Sequence, residues 1–280
     1  MSYKTILVHV DDSAHVAARI RVAATIAIAQ EAHLIGATST GVSRFIEEAV
    51  ASNPYSPVIT PYLDTLRQRA SARLEKFDEQ VRRIGVHSFE RRLIDDEVSG
   101  SISQQARYSD LVVVGQSDPG EPSATEGNDF PEFVVLHSGC PVLVVPYTGE
   151  FNNFGEKVLI AWDGGLEAKR AVHNAIPLLQ RAALVEVAVF NPAERPNVHG
   201  TQPGADIALY LTRHGIAVNV RESIVPHADI GAALLSHVAD IDAGMLVMGC
   251  FGHSRLREIL LGGVSRTVLS SMTVPVFMSH

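Results

Sequence analysis

The 280 residues suffice for two domains of ordinary size or for one large domain. Hydrophobic residues make up 46% of the chain and charged residues 19%, which is typical of a globular protein with a full core. The net charge is -8, and residues 1–150 carry 13 basic against 20 acidic residues, so the chain lacks the basic surplus that non-specific nucleic-acid binding needs.

Membrane and disulfide-framework proteins are excluded in the same way. No apolar run approaches the length of a membrane span, and the N-terminus leads directly into a strand, so we expect neither a membrane protein nor a signal peptide. The two cysteines, Cys140 and Cys250, form no disulfide framework and no zinc spacing. We therefore expect a cytoplasmic protein with two ordinary thiols.

Apolar runs alternate with helical periodicity along the first half. Residues 5–10 form an apolar run, and an Ala-rich helical stretch follows the acidic residues after it. A second helix is predicted between Pro61, which suits a first turn, and Gly85, which suits a helix end. Its apolar positions are spaced by three and four; they are Leu63, Leu66, Ala70, Leu74, Phe77, Val81 and Ile84. The run 111–114 has no polar alternation, which is typical of a parallel strand covered on both faces.

The second half repeats this pattern. The matching segments are 5–13 with 157–165, 110–115 with 244–249, and 140–145 with 274–279. The last two pairs share an offset of 134 residues, so no net insertion separates them within either copy. Helical spacing recurs in the second copy at Ala168, Val172, Ala175, Ile176 and Leu179. We predict two tandem α/β domains, at 1–148 and 155–280, each a doubly wound five-stranded parallel sheet.

The most specific local signal follows the fourth strand of the second copy, at the sheet edge where ligands of open α/β sheets lie. Gly249 and Gly252 present backbone N–H groups without a side chain in the way. Gly262 and Gly263 precede the last helix, whose free N–H groups and positive dipole end suit phosphate oxygens. Ser265 adds a hydroxyl. The pattern therefore indicates a phosphate loop.

This stretch closely resembles the Gly-x2-Gly-x9-Gly-Ser/Thr nucleotide motif of the universal stress protein family, and the likeness extends over both copies, as in the tandem-domain members. The resemblance implies a Rossmann-like, adenine nucleotide alpha hydrolase-like fold and ATP binding in the second copy. It would place Asp163 at the ribose or adenine side, the backbone around Phe190 beside the base, and the loop around the phosphates. The implied cofactor-binding residues are Ala161, Trp162, Asp163, Phe190, Met248, Gly249, Gly252, His253, Gly262, Gly263, Val264 and Ser265. Gly263 departs from the motif, because it stands where the family has Ser or Thr.

Several of these residues have a second interpretation. Asp163 positions a ligand or caps a helix, and the nearby loop favours the first. Trp162 stacks on a base or simply packs, and His253 touches a phosphate or faces solvent. No metal site of protein ligands is expected, although Mg²⁺ held by nucleotide phosphates fits the pattern. No catalytic residue is predicted, since neither an activated nucleophile nor the Lys of a classical P-loop is found.

The leading functional hypothesis is a stress-response regulator or scaffold that binds ATP in its second domain, with at most slow hydrolysis. One alternative is an interaction and dimerisation protein that uses no nucleotide. Another is an enzyme that hydrolyses ATP or transfers an adenylyl group. The closing strands at 141–145 and 275–279 are apolar sheet edges that need covering, so we expect a pseudo-dimer within one chain, with a homodimer also open.

The first copy is not expected to bind ATP. The offset of 134 residues aligns Gly252 with Asp118, Gly263 with Asp129 and Ser265 with Pro131. Two carboxylates would then lie where phosphate oxygens belong, and the proline removes a backbone N–H. The alternative is a loop rebuilt for a cation, with oxygen donors from Asp118, Glu121, Glu126 and Asp129.

Overall fold

The computed structural model describes residues 2–43, 45, 59–121, 127, 129–194, 201–251 and 263–280. The chain divides into two compact units, Ser2–Val142 and Leu143–His280. This division falls at the closing strand of the first copy, so the predicted boundaries at 148 and 155 remain predictions. Within the described part of the chain, no helix is both long enough and apolar enough to cross a membrane.

In the first copy, parallel strands alternate with helices as the sequence predicts. The elements are β1 (Thr5–His9), α1 (Val16–Gln30), β2 (His33–Ser39), α2 (Ile59–Ile84), β3 (Phe89–Ile94), α3 (Val98–Ala106), β4 (Leu111–Gly115), α4 (Phe130–His137) and β5 (Val142–Val145). The strand order in the first unit is β3-β2-β1-β4, and Ile6 of β1 pairs with Leu34 on one side and Leu111 on the other. The chain thus winds outward from β1 in both directions, which is the doubly wound arrangement.

The second copy repeats the same sequence of elements. They are β6 (Lys157–Ala161), α5 (Leu166–Leu179), β7 (Leu184–Phe190), α6 (Ala205–Arg213), β8 (Val218–Ser223), α7 (Ile230–Asp240), β9 (Met245–Gly249), α8 (Val264–Ser271) and β10 (Val276–Ser279). The parallel order is β10-β9-β6-β7-β8. Short 3-10 turns at Pro192–Glu194 and His227–Asp229 follow β7 and β8.

The structure confirms the duplication. The elements β4, α4 and β5 begin at Leu111, Phe130 and Val142. Their counterparts β9, α8 and β10 begin at Met245, Val264 and Val276, each displaced by the 134 residues that the sequence match gave. Each described residue of these three elements in the second copy therefore has a structural counterpart in the first.

Packing explains why the strands are apolar without alternation. Residues 111–114 and 245–248 are all buried, because helices cover both faces of each sheet. The five predicted core positions of α5, Ala168 to Leu179, are likewise buried. Helix α2 ends as predicted at Gly85, whose φ of 95° is left-handed and whose N–H donates to the carbonyl of Val81 at 3.1 Å. Burial of these faces is the main stabilising contribution to each unit.

Candidate functional site

The carboxyl ends of β9, β6 and β7 lie side by side in the second unit. Ala161, the last residue of β6, pairs with Met248 of β9 and with Ala188 of β7. The chain leaves β6 toward β7 on one side, whereas β9 and β10 lie on the other side. This is a topological switch point, where a crevice opens at the carboxyl edge of a doubly wound sheet. The predicted residues after these strands are thus brought to one edge.

Asp163 stands at the centre of this edge, one residue after Trp162. The Trp162 N–H donates to the carbonyl of Ala188 at 2.9 Å, which extends the pairing of β6 with β7. The Asp163 carboxylate is exposed, and its Oδ1 accepts a 2.8 Å hydrogen bond from the N–H of Gly165, the residue that caps α5. The carboxylate therefore stabilises the turn into the helix and also faces solvent at the crevice.

Gly249 ends β9 where the backbone of α5 comes close. A β-carbon at this position would overlap the main chain of Glu167 and Ala168. The glycine is therefore required by the contact between the strand end and the first turn of α5, whether or not a ligand is bound. The sequence pattern alone indicates only that this glycine gives access to a phosphate.

The start of α8 follows the segment 252–262 in the chain. Ser265 is buried, and its hydroxyl accepts a 3.4 Å hydrogen bond from the N–H of Phe251, a residue with a left-handed φ of 55°. This bond joins the residues that follow β9 to the first turn of α8. Gly263 caps α8 with a φ of −53° and a ψ of 160°, a conformation open to any residue. Val264, the first residue of the helix, is half-buried.

Three predicted residues, Gly252, His253 and Gly262, lie outside the described residues. Cys250, which precedes them, is 1% exposed, and its thiol donates to the carbonyl of Ser279 at 3.3 Å. It packs as a buried core residue between β9 and β10. Phe190 ends β7 and is half-buried, and Met248 is buried within β9.

The same edge of the first unit is filled by side chains. Arg19 of α1 is 3% exposed, and its Nη2 donates to Asp11 at 2.6 Å. A β-carbon on Gly115, the counterpart of Gly249, would lie 2.8 Å from the Arg19 Nη1. His9 is buried with its ring 4.8 Å from that of Phe130, the first residue of α4.

The pKa values of two residues at this edge, His9 and Asp11, are strongly shifted. Burial lowers the pKa of His9 to about 3, and the charges of Arg19 and Arg73 act in the same direction. Burial alone would raise the pKa of Asp11, but the Arg19 guanidinium outweighs it and holds that pKa well below its usual range. The carboxylate is ionised and the imidazole neutral near pH 7.

The acidic loop of the first unit turns onto the start of α1. Asp118 lies 3.3 Å from His15, and Glu121 accepts a 3.2 Å hydrogen bond from the N–H of Ala14. Of the predicted cation donors, Asp118 and Glu121 are brought together, with His15 as a third group that the sequence did not indicate. Asp129 instead caps α4, and Glu126 lies outside the described residues.

Sequence reasoning missed two residues that shape these edges. Arg19 gave no signal, because its partner is eight positions away and one charged residue in a helix is usually exposed. Asn191, directly after β7, bonds both backbone groups of Val225. Its signal was the Asn-Pro pair at 191–192, a combination that favours turns.

Comparisons with known proteins agree with this architecture. The universal stress protein family model matches residues 155–280. A universal stress protein from Synechocystis sp. is 29% identical over 138 residues, which cover 49% of this chain and 45% of that protein, so the chain matches less than half the length of this curated relative. The crystal structure of a universal stress protein from Archaeoglobus fulgidus superposes with a TM-score of 0.73 at 17% identity, covering 98% of this chain and 95% of that one. A functionally unknown protein from Pseudomonas aeruginosa gives 0.61 at 18% identity, covering 99% and 92%. At these identities the solved structures establish the shared fold alone.

Proposed function

Since the chain belongs to the universal stress protein family through residues 155–280, we propose that its second unit binds ATP at the carboxyl edge of β9, β6 and β7. The protein would act as a cytoplasmic stress-response regulator or scaffold, with nucleotide occupancy as its signal. Mg²⁺ would accompany the nucleotide, held mainly by its phosphates, because this ion keeps several waters and needs few protein ligands.

One observation carries the proposal. The described members of the predicted site come from four separate elements, yet they converge on a single edge at the switch point of the sheet. Asp163 follows β6, Phe190 ends β7, Gly249 ends β9 and Ser265 lies in the first turn of α8. A packing role alone does not require motif residues of four elements to share the edge where ligands of such sheets bind.

The start of α8 suits the phosphate end of the nucleotide. The N–H groups of the first helical residues have no acceptor within any α-helix, and the helix dipole adds partial positive charge there. In α8 the Gly263 carbonyl already accepts from the N–H groups of Arg266 and Thr267 at 2.9 and 3.1 Å, so a full turn is formed behind Val264 and Ser265. Phosphate oxygens bind favourably at such a terminus.

A regulatory role fits these groups better than catalysis does. Ser265 is buried and its hydroxyl accepts a hydrogen bond from the N–H of Phe251, and Asp163 holds the turn into α5. These are fixed positioning groups, and a nucleophile or general base needs a partner that activates it. We therefore infer that ATP is bound and turned over slowly at most.

Mass spectrometry of the gently purified chain tests the proposal. Co-purifying adenine nucleotide at close to one equivalent per chain supports ATP binding. Protein that carries no nucleotide and shows no saturable binding of added ATP would instead favour the pure interaction protein. Steady release of phosphate or pyrophosphate at enzymatic rates, of about 1 per second or more, would point to the enzyme alternative.

A further inference from the structure

Asn191 makes an unusual junction at the carboxyl edge of the second unit. The residue directly follows β7 and is 7% exposed. Its side-chain amide engages both backbone groups of one residue: Nδ2 donates to the carbonyl of Val225 at 2.7 Å, and Oδ1 accepts from the N–H of Val225 at 2.9 Å. Two parallel bonds of this kind fix the position and the orientation of the Val225 peptide groups.

The backbone of Asn191 strengthens this junction. Its N–H donates to the carbonyl of Ser223 at 2.9 Å and so prolongs the pairing of β7 with β8, and its carbonyl accepts from Glu194 at 3.1 Å. The residue adopts a left-handed φ of 50°, which is unfavourable for most side chains but tolerated by Asn. The segment after β8 is therefore held to the end of β7 at a point where the backbone turns sharply.

The first unit joins the same two segments without this side-chain lock. Thr40 is the counterpart of Asn191, since its N–H donates to the carbonyl of Ile94, the last residue of β3, at 3.0 Å. Its hydroxyl is buried and makes no hydrogen bond within the described part of the chain. The next segment is held instead by the Ser39 hydroxyl and by the N–H of Gly41, both of which donate to the carbonyl of Asp96. The bidentate amide thus belongs to the unit that carries the phosphate loop.

The order of strands along the edge gives this lock a functional position. Phosphates bound at the start of α8 would lie beside the end of β9, and β6, β7 and β8 follow in that order away from it. Because neighbouring strands lie only about 4.8 Å apart, a nucleotide laid along this edge would bring its base to the ends of β7 and β8. The segment locked there includes Ile224, which is 86% exposed, and Val225, whose backbone polar groups are already satisfied by Asn191.

From this arrangement we infer that Asn191 is a positioning residue for the base end of the nucleotide, an inference that rests on the proposed function. It acts through the segment 223–226 and the end of β7, which it holds in one conformation so that they match the edge of an adenine base. Because its own amide is occupied by Val225, it does not read the base directly. Its loss should change base discrimination more than phosphate binding.

Two variants of the full chain test the inference. Asn191→Leu keeps the size of the side chain and removes both hydrogen bonds, and Asn191→Asp keeps the acceptor for the Val225 N–H but loses the donor. Thr40→Val is the matched control in the first unit. Dissociation constants for ATP and GTP, each with Mg²⁺, are measured by calorimetry, and thermal unfolding reports on the fold.

The wild-type chain should prefer ATP. Asn191→Leu should weaken ATP binding by roughly tenfold and GTP binding by about twofold or less. The ATP affinity of Asn191→Asp should lie between those of Asn191→Leu and the wild type, and Thr40→Val should bind both nucleotides as the wild type does. Equal weakening of both nucleotides, an unchanged ATP affinity, or a wild type without base preference would overturn the inference alone. If Asn191→Leu does not fold, Asn191→Asp provides the test: its loss of ATP affinity should exceed its loss of GTP affinity. A wild type that binds neither nucleotide removes the proposed function, and the inference with it.

Discussion

Arg19 donates a 2.6 Å hydrogen bond from its guanidinium to the carboxylate of Asp11 at the carboxyl edge of the first unit, where Arg19 is buried and Asp11 is half-buried. The same guanidinium packs against Gly115, the counterpart of Gly249 in the second unit. There the atoms nearest to a β-carbon on Gly249 belong to the backbone of α5. The two copies of the fold thus differ at this edge, because a buried arginine side chain lies beside Gly115 and the backbone of α5 lies beside Gly249.

We therefore expect that the first unit does not bind ATP. Arg19 and Phe130 occupy its edge, and the carboxylates of Asp118 and Glu121 stand on the side where phosphates would bind. Like charges close together in a partly desolvated site repel strongly. Hydrogen exchange of the full chain with and without ATP should show protection confined to residues 155–280. Protection of peptides spanning 9–19 or 111–121 would contradict this.

Asp163→Ala should weaken ATP binding without unfolding the protein. A hydrogen bond to a charged group contributes about 1.5–3 kcal/mol, so a loss of roughly tenfold or more in affinity is expected. The side chain is exposed, and its bond to Gly165 holds only a local turn, so the melting temperature should change little. Asp12→Ala, an exposed acidic residue that pairs with Arg73 in the first unit, is the control and should bind normally. Unchanged affinity in Asp163→Ala would exclude a ligand role.

Gly263→Ser should strengthen ATP binding. The backbone at this helix cap has a φ of −53° and a ψ of 160°, which serine adopts readily, and serine is a favourable cap residue. The new hydroxyl restores the donor that the family motif places here, so affinity should rise by roughly threefold to tenfold. Asp129→Ser, which places a serine at the matching cap of the first unit, should leave affinity unaltered. Weaker binding by Gly263→Ser would show that this cap does not face the phosphates.

Acid should destabilise the chain through His9. Its folded pKa is about 3 and its unfolded pKa about 6.5, so between these values the unfolded state binds a proton that the folded state does not. The free energy of unfolding should therefore fall as the pH drops through this window, by up to about 1.4 kcal/mol per pH unit. Asp11, whose folded pKa is lowered, adds its own loss only below its unfolded value of 3.8.

Denaturant titrations at pH 7, 6 and 5 measure this slope. His9→Phe removes the titrating group and should flatten the dependence, whereas His87→Gln, at an exposed site, should retain it. A wild-type slope that persists in His9→Phe would assign the acid sensitivity to other groups.

The fold was predictable because it depends on local patterns. Continuous apolar runs identified the buried parallel strands, and the offset of 134 residues transferred the end of one copy onto the other. Gly249 and Gly263 lie where the sequence predicts, at a strand end and at a helix start, because these positions follow from chain order; their role in nucleotide binding stays a prediction. The pairing of the closing strands, 141–145 with 275–279, stays a prediction.

The side chains that lie at the carboxyl edge of each unit, and their partners, were not predictable, because they depend on contacts between residues distant in sequence. Nothing in the sequence shows that Arg19 turns inward to Asp11, or that His15 meets Asp118 across 103 positions. The same holds for Asn191 and Val225, which are 34 residues apart. Gly249 was assigned to phosphate access, and the structure adds a packing requirement that the spacing could not reveal.

Calorimetric titration of the nucleotide-stripped full chain with ATP and Mg²⁺ tests the central claim most directly. Binding at the edge of β9, β6 and β7 predicts a saturable isotherm with one ATP per chain, weakened roughly tenfold in Asp163→Ala and unaffected in Asp12→Ala. A flat isotherm, or a stoichiometry of two that Asp163→Ala leaves unchanged, would contradict it.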